Sequence, residues 1–219
     1  PTDLDAAVAM ARLAVADGIT TIVATPHLNN QIYDQREIGD RLAVLAEAVQ
    51  REGLTLQLFA GADVSAMLPP PALRPFTLSR SRYLLVEFPH AYLPGNAREI
   101  LYDFVAHGFW PIITHPERNG SVVRNPELLL DLLGDTIFVQ LTAGSLTGDF
   151  GPAAEACAHH LLRRGAVHFL ATDAHSSIRR PPLLSAGLAV AAEIIGREEA
   201  MRLVTHNPAA VLADRPLYA

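Results

Sequence analysis

The stretch "YLLVEFP" (83–89) runs four apolar residues into a carboxylate, Glu87, and stops two positions later at a proline. Near-continuous hydrophobicity suits a strand covered on both faces, as in a parallel sheet. Pro89 has no N–H to continue a ladder. An acid at such an end is either an exposed terminus or a group aimed at a site, and alone it decides nothing. Five further runs share the pattern: "ITTIVATPH" (19–27), "LTLQLFAGAD" (54–63), "FWPIITHPERN" (109–119), "TIFVQLTAGS" (136–145) and "VHFLATDAH" (167–175). They alternate with helical segments at 35–52, 97–107, 126–133, 152–164, 183–195 and 197–205, the first with Ile38, Leu42, Leu45 and Val49 at helical spacing. Six strands alternating with helices predict a parallel α/β fold.

The chain opens on a helix, 1–18, with Thr2 as N-cap, Asp5 three positions on and Gly18 as terminator. A parallel α/β chain places a strand before such a helix, so a first strand is expected to be missing from this chain. The Pro-rich link 65–76 reads as an irregular loop rather than a polyproline ligand. No internal repeat or linker divides residues 1–219, which read as a single domain.

Composition narrows the function classes. Half of the 219 residues are hydrophobic and 18% are charged, with no run of eighteen apolar residues, so no membrane span is expected. A net charge of −6 argues against a nucleic-acid partner, which needs clustered Lys and Arg. The one cysteine, Cys157, cannot make an internal disulfide, which fits the cytoplasm. A homo-oligomer is left open.

Five of the six runs end in residues able to bind a divalent metal: His27, Asp63, Glu87, His115, and the pair Asp173 and His175. In a parallel sheet or barrel these ends share one face, where sites of this architecture are built. The acid of the opening stretch is therefore read as aimed. Imidazoles and carboxylates without thiolates favour Zn²⁺, Mn²⁺ or Fe. Six candidate ligands exceed one tetrahedral ion, so two or more ions bridged by Glu87 or Asp63 are expected. Such a pair lowers the pKa of a shared water and clamps both oxygens of a displacement at phosphorus. Arg118, three residues after His115, and Arg180, five after His175, offer planar forks for a phosphate. Their alternative is surface pairing, for Arg118 with Glu117 or Glu127. Arg179 reads as a solvated charge, and Cys157 as a packed apolar side chain rather than a nucleophile. His159, His160 and His168 read as helix or strand residues, and His107 and His206 as lying near helix carboxyl ends. His90 and Tyr92 stand on the loop after Glu87, either at the surface or lining the pocket. "GSLTG" (144–148) is a weak candidate for wrapping a phosphate with backbone N–H groups.

Together "ATPH" (24–27), "LLVEFP" (84–89), "ITHPERN" (113–119), "QLTAGSLTGDFG" (140–151) and "LATDAH" (170–175) resemble the polymerase and histidinol phosphatase (PHP) family, specifically its bacterial capsule-type branch of metal-dependent protein-tyrosine phosphatases. The likeness spans nearly all of the chain. It implies a distorted (β/α)7 TIM-like barrel with two or three divalent ions, manganese foremost and iron or zinc as alternatives. The implied ligands are His27, Glu87, His115, Asp173 and His175, and the implied phosphate-binding residues are Arg118 and Arg180. The implied partner is a phosphotyrosine-bearing protein, such as the tail of a bacterial tyrosine kinase that regulates capsule or exopolysaccharide production. A small-molecule phosphatase acting on a compound like histidinol phosphate, and a barrel that has lost its metals and serves as a binding module, are the competing readings. Two departures stand out. The family's opening strand, with an H-x-H pair and a following aspartate, does not occur here. Asp63 also occupies the place of a bridging glutamate, one methylene short.

Overall fold

The computed structural model describes residues 3–28 and 35–217. Helix α1 (Leu4–Ala16) is followed by β1 (Thr21–Ala24), β2 (His27–Leu28), α2 (Gln35–Arg51), β3 (Gln57–Ala60) and β4 (Asp63–Ser65). Next come β5 (Tyr83–Glu87), α3 (Ala97–Ala106), β6 (Trp110–Thr114), α4 (Gly120–Arg124), α5 (Glu127–Leu130), β7 (Phe138–Thr142) and α6 (Ala143–Leu146). The last elements are α7 (Pro152–Arg163), β8 (Phe169–Ala171), α8 (Ser185–Ile195), α9 (Arg197–Val204) and α10 (His206–Leu212).

All pairings between these strands are parallel: β1 with β3, and β2-β4-β5-β6-β7-β8 in that order. The first two sequence runs each divide into two strands, because Pro26 interrupts the ladder. The register carries across the break, from Ala24 opposite Ala60 to His27 opposite Asp63, and the Asp63 N–H donates to the Pro26 carbonyl at 3.1 Å. Alternate strand residues enter two cores. Leu84, Val86, Ile113, Val139, Leu141 and Leu170 face the outer helices, whereas Tyr83, Leu85, Ile112, Phe138 and Phe169 form a second cluster with Leu78 and Val211. Burial on both faces is the reason the runs are continuous rather than alternating.

The described residues form a parallel α/β sheet as expected, but no closed barrel is found among them, and the distorted (β/α)7 barrel is not confirmed. The sheet is open, with β1 and β2 at one edge and β8 at the other, and a cavity of about 1400 Å³ lies between those edges, lined by Ile22, Leu58, Phe169, Leu188 and Val211 among others. Three smaller expectations also change. Thr2 lies outside the described residues, and the cap of α1 is Asp3, which accepts from the Ala6 N–H at 2.8 Å. The Pro-rich link forms a 3₁₀ turn over Pro70–Phe76 that buries Leu73 and Phe76, so it is neither irregular nor displayed as a ligand. The helix expected over 126–133 shortens to Glu127–Leu130. His206 lies just past the carboxyl end of α9 (Arg197–Val204), as expected, and also begins α10, whose first turn takes Pro208 because a missing N–H costs nothing there. No helix among the described residues is long and apolar enough to cross a membrane.

Candidate metal centre

The parallel register brings all six predicted donors to one face. Glu87 ends β5 with its side chain 13% exposed, aimed inward rather than into solvent. Its two oxygens face different neighbours. Oε2 lies 3.2 Å from His27 Nδ1, and Oε1 lies 3.3 Å from His115 Nε2. Asp63, the first residue of β4, is buried and points Oδ2 at His27 Nδ1 from 3.6 Å. Across the gap between the sheet edges, the His27 and His175 rings stand 5.6 Å apart. Among the described residues three donor triples result, each with ligand atoms within 4.8 Å of one another: His27, Asp63 and Glu87; Glu87, His90 and His115; and His27, Asp173 and His175. Glu87 and His27 each belong to two of them.

Two of the donors sit on strained backbone. His115 has φ 37° and Asp173 has φ 47°, the left-handed region that non-glycine residues seldom occupy. Such strain, roughly 1–3 kcal/mol per residue, persists where the surroundings over-determine the geometry. For His115 the constraint is visible: its N–H donates to the Gln140 carbonyl at 2.8 Å, and Pro116 and Glu117 behind it are buried.

The electrostatics describe a site that wants a cation. Burial pushes the Asp63 carboxyl up to about 7, and the nearby Glu87 charge pushes the same way, while His115 and His27 offset part of the shift. Burial acts on Glu87 too, but hydrogen bonding with His115 and His27 outweighs it and holds this carboxyl well below its usual range. The Glu87 carboxylate raises the His27 pKa against the effect of burial. His27 Nδ1 is buried between two carboxylates, 3.2 Å from Glu87 Oε2 and 3.6 Å from Asp63 Oδ2. Hard oxygen and imidazole donors converging on such an atom fit a divalent ion.

Arg118 and Arg180 converge on Asp173. Arg118 Nη2 donates to Asp173 Oδ2 at 2.7 Å, and Arg180 donates to the same oxygen and, at 2.9 Å, to the Asp173 carbonyl. Surface pairing of Arg118 with Glu127 is excluded, since Glu127 pairs with Arg164. Both guanidinium groups also lie over the Phe150 ring, 4.6 and 5.5 Å from its centroid. Their Nε atoms are buried with no partner among the described residues. Burial, together with the neighbouring Arg118 charge, lowers the Arg180 pKa against the pull of Asp173. Arg179 is exposed, as a solvated charge should be.

Two residues join the site that spacing alone does not single out. Glu117, fully buried, accepts from the Ser145 hydroxyl at 2.6 Å and the Thr142 N–H at 3.1 Å, tying the turn that carries His115 and Arg118 to the end of β7. Phe150 follows that tie, to which Ser145 of "GSLTG" contributes its hydroxyl. Cys157 is buried, its thiol pushed up to about 12 by burial, and it takes no part.

An open parallel α/β sheet with three linked donor triples and two arginines at its carboxyl face defines a protein built for metal-assisted chemistry on an anion. Residues 1–213 match the family described as capsular polysaccharide synthesis, CpsB/CapC, and the chain belongs to it. It is similar to the tyrosine-protein phosphatase YwqE of Bacillus subtilis, with 36% identity over 173 residues, 76% of this chain and 68% of that protein. CapC of Staphylococcus aureus is 32% identical over 190 residues, 84% of this chain and 74% of the relative. A solved structure superimposes with a TM-score of 0.90 at 30% identity, over 98% of this chain and 89% of the other; it comes from work on YwqE of B. subtilis and CpsB of Streptococcus pneumoniae, described as unique metal-dependent tyrosine phosphatases.

Proposed function

We propose that the chain is a metal-dependent phosphomonoesterase that hydrolyses phosphotyrosine on a protein, the tail of a bacterial tyrosine kinase of capsule or exopolysaccharide production. The observation that carries this reading is the pair of buried, unpartnered Nε–H groups of Arg118 and Arg180 beside the donor triples. An oxyanion is the ligand that satisfies them. His27, Asp63, Glu87, His115, Asp173 and His175 would hold two or three divalent ions, manganese first, with iron or zinc as alternatives. When bound, the ions supply Lewis-acid polarisation of the phosphoryl oxygens and an activated water.

The chain's own residues do the rest. Arg118 and Arg180 present planar forks that fix the phosphoryl group and stabilise its charge. Phe150 keeps both forks on one platform. Glu117 holds His115 and Arg118 at a set distance from β7. The buried thiol of Cys157 stays protonated, because burial raises its pKa, and so offers no thiolate to attack phosphorus. A tyrosyl leaving group, with a pKa of about 10, departs with less protonation than an alkyl alcohol needs. Exposed His175 and Ile178 leave the rim open, which favours a phosphotyrosine presented on a protein over a small enclosed substrate. The reading takes residues 1–219 as one domain, the curved sheet as the greater part of a distorted (β/α)7 barrel, and the cytoplasm as its place.

The test is Mn²⁺-dependent phosphate release from a phosphotyrosyl peptide beside histidinol phosphate, with His115→Ala as control. Turnover of the peptide, lost in the variant, is expected. Turnover of histidinol phosphate alone would transfer the site to small-molecule metabolism. Inactivity of the folded protein on both would favour a binding module without catalysis.

A further inference from the structure

We propose that His90 is a further ligand of the metal centre, completing with Glu87 and His115 the triple that Asp63 cannot complete. The inference rests on the phosphatase reading above and adds a residue to its ligand set. His90 Nε2 lies 3.3 Å from Glu87 Oε1, the oxygen that is also 3.3 Å from His115 Nε2. The two imidazoles lie nearly parallel, at 10° with centroids 5.2 Å apart. One carboxylate oxygen and two imidazole nitrogens therefore surround a common point.

Asp63 is the competing third donor, and its carboxylate is committed elsewhere. Oδ2 lies 4.0 Å from His115 Nε2 but 3.6 Å from His27 Nδ1, and Oδ1 accepts from the Thr114 hydroxyl at 3.3 Å. Being buried on a strand, Asp63 has no freedom to swing across. Among the described residues, His90 is the third donor that groups with Glu87 and His115, each ligand atom lying within 4.8 Å of the others.

The loop that carries His90 is built to hold it there. The Gly120 N–H donates to the His90 carbonyl at 2.8 Å, and the Asn119 amide donates to the carbonyls of Pro89 and Tyr92 at 2.8 and 3.0 Å. Ser121 Oγ accepts from the Leu93 N–H at 3.1 Å. The approach is so close that a Cβ on Gly120 would meet the Ala91 carbonyl oxygen at 2.6 Å. The "RNGS" (118–121) continuation of the His115 turn thus fixes the 89–93 loop against His115, and a solvated surface histidine needs no such frame. The ring itself reaches in from the rim, with its side chain 63% exposed, so its removal leaves the core untouched.

The experiment is a Mn²⁺ titration of the wild type, His90→Ala and His160→Ala, read by calorimetry and by the electron paramagnetic resonance of bound Mn²⁺, with melting curves alongside. In His90→Ala, one ion is expected to bind at least about tenfold more weakly, since even loss of an outer-sphere partner weakens a metal by roughly 10–100-fold. The remaining ion or ions, the melting temperature and the His160→Ala titration should match the wild type. Wild-type stoichiometry and affinity in His90→Ala, or an equal loss in His160→Ala, would overturn the assignment while leaving the phosphatase reading standing. A wild type that binds none of Mn²⁺, Fe²⁺ and Zn²⁺ would overturn both.

Discussion

Acidification is expected to weaken the fold through one side chain, His168, at the entry to β8. Its Nδ1 accepts the Val139 N–H at 3.1 Å, its ring meets Phe138 edge-on at 5.1 Å, and its carbonyl accepts from the Asn207 amide at 2.7 Å. An imidazolium has no acceptor to offer Val139, and burial pushes the pKa down to about 4. The folded value lies below the unfolded value near 6.5, so the unfolded chain takes up the proton first. The contribution to stability is whole above pH 6.5 and is lost as pH falls from there towards 4, with a limiting slope of about 1.4 kcal/mol per pH unit. Between pH 7 and pH 5 the loss is about 2 kcal/mol, or roughly 4–8 °C in Tm for a chain of this size. Urea unfolding at pH 5, 6 and 7, followed by far-UV circular dichroism, measures it. His168→Asn places an oxygen where Nδ1 stood, keeps an acceptor for Val139 and does not titrate. Its unfolding free energy should lose about 2 kcal/mol less than the wild type over the same interval. Equal pH dependence in the two proteins would refute the reasoning, because carboxylates elsewhere titrate alike in both.

The remaining expectations concern the residues that support the arginines. Phe150→Leu removes a ring from beneath two guanidinium groups, about 1–2 kcal/mol of cation–π attraction in all, and should raise KM for a phosphotyrosyl peptide roughly 5–30-fold with metal content unchanged and Phe150→Trp restoring it; an unchanged KM in the leucine variant would remove Phe150 from the site. Glu117→Ala leaves the buried Thr142 N–H and Ser145 hydroxyl without their acceptor and should cost about 2–4 kcal/mol of stability, read from the urea midpoint. A loss below about 1 kcal/mol would mean that water replaces the carboxylate.

What the sequence makes legible is what repeats. Six runs with the same apolar build and the same kind of ending place His27, Asp63, Glu87, His115, Asp173 and His175 on one face, and the structure brings them together there. Closure is a different matter, because periodicity counts strands without saying whether the two edges meet. Pro26 shows how one missing N–H divides a run that reads as a single strand. Glu117 escapes notice because an acid beside Arg118 looks like its ion-pair partner, and only the fold reveals that it turns the other way, to Ser145. Phe150 hides in "TGDFG" (147–151), which reads as a turn. His90 is ambiguous for a plain reason: its role depends on the hydrogen bonds of Asn119 and Gly120, which are remote in sequence and adjacent in space.

The double salt bridge on Asp173 has a consequence for how the protein responds to its ligands. A carboxylate that engages both guanidinium groups is an internal imitation of an incoming phosphate, and while it stays in place the anion site is self-occupied. A cation held by His27 and His175 would compete with the two forks for Asp173, whose Oδ1 already lies 3.7 Å from His175 Nδ1 while Oδ2 takes both guanidinium groups. By thermodynamic reciprocity, an anion that captures the forks pushes Asp173 towards the cation. Metal and phosphate then strengthen each other's binding through a single shared side chain. Loss of the metal would then weaken phosphate binding as well as turnover.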